Sequence, residues 1–100
     1  MTKNEALTRL RAREPDLRAL GIEHLSIFGS TARGEDRTDS DLDLAARLSE
    51  QAYETMGVFE YLAIEEDLAS MLGIKVDLVT EPSHRPRLQA QIDRDRVNVF

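Results

Sequence analysis

Residues 22–48 read IEHLSIF-GSTARGEDRTDS-DLDLAARL, two apolar segments joined by a polar stretch that begins with glycine. The first segment, Ile22 to Phe28, has the length of a strand, and its imperfect alternation is expected for a strand covered on both sides. The second, Asp41 to Leu48, alternates acids with leucines, so the two acids share one face and the leucines the other. The stretch therefore predicts a strand–turn–strand unit whose second strand begins with a pair of acids.

Helices are predicted before this unit. Thr2-Lys3-Asn4-Glu5 has the pattern of a capping box, which starts a helix. Pro15 should end or kink that helix near Arg13, and it also suits the first turn of a second short helix. Gly21 is a suitable stop for this second helix, directly before the first strand.

Helices and strands also alternate after the unit. Apolar residues at helical spacing predict a helix from about Val58 to Leu72, ended by Gly73, and then a strand from Ile74 to Thr80. Leu88 and Ile92 indicate a last helix and Val97 with Val99 a short terminal strand, whereas residues 49–57 give no clear pattern. This alternation predicts an α/β or α+β sheet packed by helices.

Composition limits the class of protein. The chain has 100 residues, 41% of them apolar and 32% charged, which suits one globular domain covering residues 1–100. A net charge of −6 argues against a large nucleic-acid surface, although a metal ion could supply positive charge for a nucleotide. No apolar run approaches the roughly 20 residues that span a bilayer, and the polar start does not resemble a signal peptide. We therefore expect no membrane association and a cytoplasmic location.

Three aspartates are the candidate metal ligands and catalytic groups. Asp41 and Asp43 lie two apart on a strand, roughly 6.5 Å along the backbone, so their carboxylates can converge on a pair of divalent ions. Mg²⁺ prefers carboxylate and phosphate oxygens. Asp77, within the apolar segment Val76–Val79, would join them if its strand lies beside theirs. In the alternative interpretation, Asp41 and Asp43 only form the polar face of an edge strand. Asp77 is then an outward-facing residue on a half-exposed strand.

The glycine turn between the two strands is the candidate phosphate site. Gly29 lets the backbone approach a ligand or adopt a positive φ angle. Ser30 follows at the start of a possible helical turn around residues 31–33, where a hydroxyl and exposed N–H groups can hold phosphate oxygens. An ordinary turn uses both residue types as well. Its position directly before the acid pair favours the phosphate interpretation.

Arg33 has two interpretations. It could contact a nucleotide phosphate, or it could fix the loop by pairing with Asp36, Asp39 or Asp41. Ser40 more simply orders the loop through a hydrogen bond to the backbone.

The combined motif, Gly29-Ser30-Thr31-Ala32-Arg33-Gly34 with Ser40-Asp41-Leu42-Asp43-Leu44, resembles the signature of the DNA-polymerase-β-like nucleotidyltransferase superfamily. It is most similar to the minimal nucleotidyltransferases, or MNT proteins, found beside HEPN-domain ribonuclease toxins. The resemblance implies a mixed β-sheet with helices packed mainly on one side. It also implies that Gly29 and Ser30 bind the nucleotide phosphates and that Asp41, Asp43 and Asp77 bind Mg²⁺.

The same resemblance implies a function. Antitoxins of this kind can transfer AMP from ATP to a tyrosine hydroxyl of the HEPN toxin, so we expect Mg²⁺, ATP, a toxin partner and a hetero-oligomer. The short chain leaves little beyond one sheet to hold an acceptor, which favours a protein acceptor. Two alternatives stay open: an antitoxin that neutralises its toxin by binding alone, and, more remotely, transfer to a small molecule or an RNA end.

Overall fold

The computed structural model describes residues 1–35 and 41–100. The expected roles of Asp36, Asp39 and Ser40 fall outside these residues. The helices and strands, in chain order, are α1 (Lys3–Arg11), α2 (Glu14–Ala19), β1 (Ile22–Phe28), α3 (Gly29–Ala32), β2 (Leu42–Leu48), α4 (Glu50–Thr55), α5 (Val58–Leu72), β3 (Val76–Glu81), α6 (Pro86–Asp95) and β4 (Val97–Asn98).

The four strands form one mixed sheet in the order β3-β2-β1-β4. Strand β1 runs antiparallel to both β2 and β4, whereas β2 and β3 are parallel. A parallel pair needs a crossover connection, which α4 and α5 provide between β2 and β3. The predicted α+β class with a mixed sheet is therefore confirmed.

The main core lies on one face of the sheet. Alternate strand residues such as Leu25, Ile27, Leu42 and Leu44 are fully buried there because β-strand side chains alternate between faces. Helices α1, α2 and α5 cover this face through Ala6, Leu10, Leu17, Ile64, Leu68 and Leu72. Most of the helical packing is thus on one side, as the resemblance implies. None of the helices in the described ranges combines the length and apolar character needed to cross a bilayer.

The opposite face is covered by α6 over part of its area. Ile92 is completely buried there against Phe28 and Ala45, with Val79 and Leu88 packed around them. The acids Asp43 and Asp77 belong to this same face by alternation along their strands. Helix α6 therefore forms one wall beside the candidate site.

Several element boundaries differ from the sequence predictions. Residues 49–57, which show no clear pattern in the sequence, contain α4, whose N-cap Ser49 accepts a hydrogen bond from Ala52 N–H at 3.1 Å. The helical turn expected around residues 31–33 begins earlier, at Gly29, and the third strand is shifted to Val76–Glu81. The predicted helix start is confirmed, because Thr2 Oγ1 accepts a hydrogen bond from Glu5 N–H at 3.2 Å.

Candidate active site

Strand pairing places Asp43 directly beside Asp77. They are register partners on the parallel strands β2 and β3, and each is the second residue of its strand. On the other side, Asp43 pairs with Phe28, the last residue of β1. Asp41 lies two residues before Asp43, just ahead of β2. The three predicted acids thus lie at the same end of the sheet, beside the glycine turn that follows β1.

The electrostatics of Asp43 reflect this crowding. Partial burial of the carboxylate and the nearby negative charges of Asp77 and Asp41 raise the pKa of Asp43 from 3.8 to about 6, against a smaller opposing effect of Arg33. Like charges close together disfavour ionisation, and a cation placed among them reverses that effect. The site therefore carries a concentration of negative charge that a divalent ion would relieve.

Gly29 borders the Asp43 carboxylate. Its φ angle is +76°, and a Cβ built on it would overlap Asp43 Oδ2 and lie 3.2 Å from Asp43 Cγ. Any side chain at this position would therefore fill the space against the carboxylate. Ser30, in α3, is half-buried one residue further along. The predicted turn therefore lies directly against Asp43, one of the predicted acids.

The residues fit a divalent cation if the side chain of Asp41 turns from Lys75 toward the other two acids. The donor set is three carboxylates, the ligands that Mg²⁺ prefers, and the missing side chain of Gly29 leaves room at Asp43. Within residues 1–35 and 41–100, however, no three acidic or histidine side chains already surround a common point where an ion could sit. Asp41 Oδ2 instead lies 4.0 Å from Lys75 Nζ, and both side chains are substantially exposed. The spacing of the sequence does not point to this lysine, which β2–β3 pairing brings near.

Arg33 lies near the site but is engaged by other acids. Its Nη1 donates to Asp95 Oδ2 at 2.6 Å, and its Nε donates to Glu35 Oε2 at 3.0 Å. Hydrogen bonds from Arg94 and Arg33 keep the pKa of the Asp95 carboxyl below its ordinary value despite burial. Arg33 therefore ties the end of α3 to the end of α6, a partner that sequence spacing did not suggest.

Two side chains of α5 hold β3 next to Asp77. The hydroxyl of Tyr61 donates to the Leu78 carbonyl, and the Leu78 N–H donates to Glu65 Oε2 at 2.9 Å. Because β3 is an edge strand of the described sheet, these groups of Leu78 have no strand on that side to pair with. Burial, followed by the charges of Glu65 and Asp77, raises the pKa of Tyr61 to about 12. The sequence allows Tyr61 to be either a core residue or a partner-surface residue. In the structure it packs against the main core and contacts Leu78.

The sequence matches the protein family described as Polymerase beta, Nucleotidyltransferase over residues 17–100. Protein adenylyltransferase MntA of Thermococcus cleftensis is 31% identical over 100 residues, covering 99% of this chain and 97% of the relative. MJ1379 of Methanocaldococcus jannaschii is 38% identical over 79 residues, covering 78% and 77% of the two chains.

Solved structures share the fold. A structure assigned to the minimal nucleotidyltransferases superposes with a TM-score of 0.78 at 32% identity, covering 97% of this chain and 95% of the other. A toxin–antitoxin structure with AMP-PNP gives a TM-score of 0.71 at 24% identity, covering 100% and 73%, a likeness of fold. With most of its length matched in sequence and nearly all of it in fold, the chain belongs to the polymerase-β nucleotidyltransferase family.

Proposed function

We propose that this chain, acting as one domain over residues 1–100, is an antitoxin that transfers AMP from Mg·ATP to a hydroxyl group, that of a tyrosine, on a partner HEPN ribonuclease toxin in the cytoplasm. The observation that carries the proposal is the position of Asp43, which lies between the glycine turn at Gly29 and its register partner Asp77. Protein adenylyltransferase is the activity named for the relative that matches over nearly its full length. One structure with this fold is a toxin–antitoxin complex with AMP-PNP, and another is an AMPylated HEPN toxin with its MNT antitoxin.

Each residue of the site has a proposed role. Asp41, Asp43 and Asp77 would hold two Mg²⁺ ions, which would supply positive charge to neutralise the phosphates. Gly29 and Ser30 hold the nucleotide phosphates through backbone N–H groups and the serine hydroxyl. Arg33 contributes a phosphate contact from the α3 end, in addition to its pairing with Asp95.

The transfer exchanges one bond at phosphorus. The acceptor oxygen attacks the α-phosphorus of ATP, an O–P bond forms, and the bond to the pyrophosphate breaks in line with it. Asp77 orients the acceptor hydroxyl and takes up its proton, while pyrophosphate leaves with the electron pair of the broken bond. The turn at Gly29 contributes by holding the triphosphate in the attack geometry.

A second candidate function is neutralisation by binding alone. The observation that favours it is a set of exposed apolar side chains on α4 and α5, including Val58 and Phe59, which a partner protein could cover. Neutralisation of the toxin by an Asp43→Asn variant separates the two functions. If the variant still silences the toxin without labelling it, binding is sufficient; if silencing is lost while the complex still forms, the chemistry is required.

The direct test uses a purified HEPN-domain toxin, the partner that the proposal names. The purified toxin is incubated with the chain, Mg²⁺ and ATP, and its intact mass and modified peptide are determined. The proposal expects a mass increase of one or more AMP units on a tyrosine. Toxin that remains unmodified, or label found on RNA or a small molecule in cell extract, contradicts it.

A further inference from the structure

We propose that α4 and α5 present a docking face for a basic, amphipathic helix of the partner protein. The face consists of four exposed side chains, Tyr53, Val58, Phe59 and Leu62. The proposal rests on the proposed function for the identity of the partner, the toxin, and it goes further by assigning the surface and the chemistry that surface recognises.

Exposure is the first observation. Phe59 is 85% exposed, Val58 71%, Tyr53 56% and Leu62 45%. Val58 and Leu62 lie four residues apart, and Phe59 and Leu62 lie three apart, so these residues share one side of α5. Single exposed apolar residues are ordinary, but a cluster rich in aromatic side chains marks a surface that another molecule covers.

The cluster continues from one helix to the next. An open groove is lined by Tyr53 of α4, by Met56 between the helices and by Val58 of α5. It reaches Leu48 on β2 and Thr80 on β3. A continuous apolar surface of this shape, with Phe59 projecting beside it, suits the apolar side of a helix.

Charge identifies the occupant. Residues 50–72 contain six acids, Glu50, Glu54, Glu60, Glu65, Glu66 and Asp67, and no lysine or arginine. That is the whole net charge of the chain, −6, because the acids and bases of the remaining residues balance. Opposite potentials across an interface speed and orient association, whereas like potentials oppose it. Glu66 lies four residues after Leu62 and Glu54 directly follows Tyr53, so these two acids border the face, whereas Glu60 and Asp67 line a separate pocket with Leu20. The partner helix therefore carries Lys or Arg beside its apolar side, and a second copy of this chain, with the same acidic segment, is disfavoured.

The position of the face suits delivery of an acceptor. Thr80, at the edge of the groove, lies three residues after Asp77 on β3. At a strand rise of about 3.3 Å per residue, the two are about 10 Å apart along the backbone. Because Asp77 and Thr80 lie three residues apart, their side chains face opposite sides of β3, so a partner segment reaches the acids by passing around this edge strand.

The apolar part of the proposal is tested with Phe59→Ser and with Phe59→Leu as the matched control. The dissociation constant of the complex with the purified toxin is measured by titration calorimetry, and circular dichroism of each free variant checks its fold. Because buried aromatic residues dominate interface energies, we expect Phe59→Ser to weaken binding about tenfold to a hundredfold. Phe59→Leu, which keeps most of the apolar area, should stay within about threefold of the parent.

The charged part is tested with the double variant Glu54→Gln/Glu66→Gln and with Glu5→Gln, an exposed acid on α1, as the control. We expect the double variant to bind more weakly at low salt and to lose part of the salt dependence, with no change for Glu5→Gln. The proposal is overturned if Phe59→Ser binds the toxin as tightly as the parent does. It is also overturned if the parent sediments as a dimer and Phe59→Ser sediments as a monomer, because the face then binds a second copy of this chain. A parent that does not bind the toxin overturns it too.

AMP transfer is followed separately in the same mixtures. Binding that depends on Phe59 without any transfer by the parent would refute the proposed function and leave the docking face supported. If the parent transfers AMP and Phe59→Ser binds the toxin as well as the parent does, the proposed function is supported and the docking face is refuted.

Discussion

Gly29 lies so close to Asp43 that a side chain at position 29 would displace the Asp43 carboxylate. A Cβ on Gly29 would overlap Asp43 Oδ2 and lie 3.2 Å from Asp43 Cγ. The turn after β1 and the acid on β2 are thereby joined into one cradle. Phosphate binding at the turn and metal binding at the acid are therefore expected to depend on each other.

Replacement of Gly29 by alanine should abolish most of the activity. The new methyl group would push the Asp43 carboxylate aside, and a positive φ costs an alanine about 1–2 kcal/mol. Gly73→Ala is the matched control, because Gly73 has a φ of +73° but a Cβ added to it would meet nothing within 4 Å. We expect both variants to lose similar thermal stability and only Gly29→Ala to lose AMP transfer, by about a hundredfold. Equal activity of the two variants would contradict the cradle.

Tyr61→Phe should weaken catalysis through the position of Asp77. Loss of the hydrogen bond to the Leu78 carbonyl loosens the strand residue beside Asp77 and costs about 1 kcal/mol of stability. Ser70→Ala, which removes an exposed hydroxyl from the same helix, is the control. We expect Tyr61→Phe to lower kcat about fivefold and to raise the Mg²⁺ concentration needed for half-maximal rate. An unchanged kcat and Mg²⁺ dependence, with only a lower Tm, would reduce Tyr61 to a structural residue.

Arg33 has one observed role, its pairing with Asp95, and one proposed role, a contact with the nucleotide, and a pair of variants separates them. Asp95→Asn weakens the structural pairing and leaves the guanidinium in place, whereas Arg33→Lys removes the planar fork needed for both roles. Both variants should lower Tm. We expect only Arg33→Lys to raise KM for ATP, by about threefold to tenfold. If Asp95→Asn raises KM equally, Arg33 acts through structure and not by touching the nucleotide.

Stability at acid pH should depend on the ion pair between Arg96 and Glu81. Burial favours the neutral form of Glu81, but hydrogen bonds from Arg96 and Gln89 outweigh it and lower its pKa below 4.5. A lowered folded-state pKa adds stability above the unfolded value that is lost as pH falls through the folded one.

We therefore expect the free energy of unfolding to decline below about pH 4.5. Arg96→Met should cost about 2 kcal/mol at pH 7 and flatten that decline. Urea unfolding at a series of pH values measures both quantities, and an Arg96→Met profile parallel to that of the parent would refute the assignment. Arg87→Met, an exposed arginine on α6, serves as the control.

Local patterns in the sequence predict most of the helices and strands, and they nominate the residues of the candidate site. The capping box at Thr2, the stop at Gly73 and the alternation of Asp41–Leu48 are read from neighbouring residues, and their elements were predicted correctly. The sequence does not predict helix α4, because its six residues lack a clear apolar repeat, although Ser49 at its N-cap is a usable signal.

Contacts between distant residues could not be predicted in this way. The bond from Arg33 to Asp95, the clamp of Tyr61 on Leu78 and the approach of Lys75 to Asp41 depend on which strands and helices become neighbours. Sequence spacing gives residue types and faces, whereas strand order and register decide which of them meet.

The central claim is that the acids at the start of β2 and β3 perform the transfer. Its most direct measurement is the transfer of label from α-labelled ATP to the toxin by the parent, Asp43→Asn and Asp77→Asn, with Asp16→Asn, an exposed aspartate on α2, as the control. We expect both site variants to fold and bind the toxin like the parent but to label it at least a thousandfold more slowly, with Asp16→Asn unchanged. Labelling by Asp43→Asn at the rate of the parent would contradict the account.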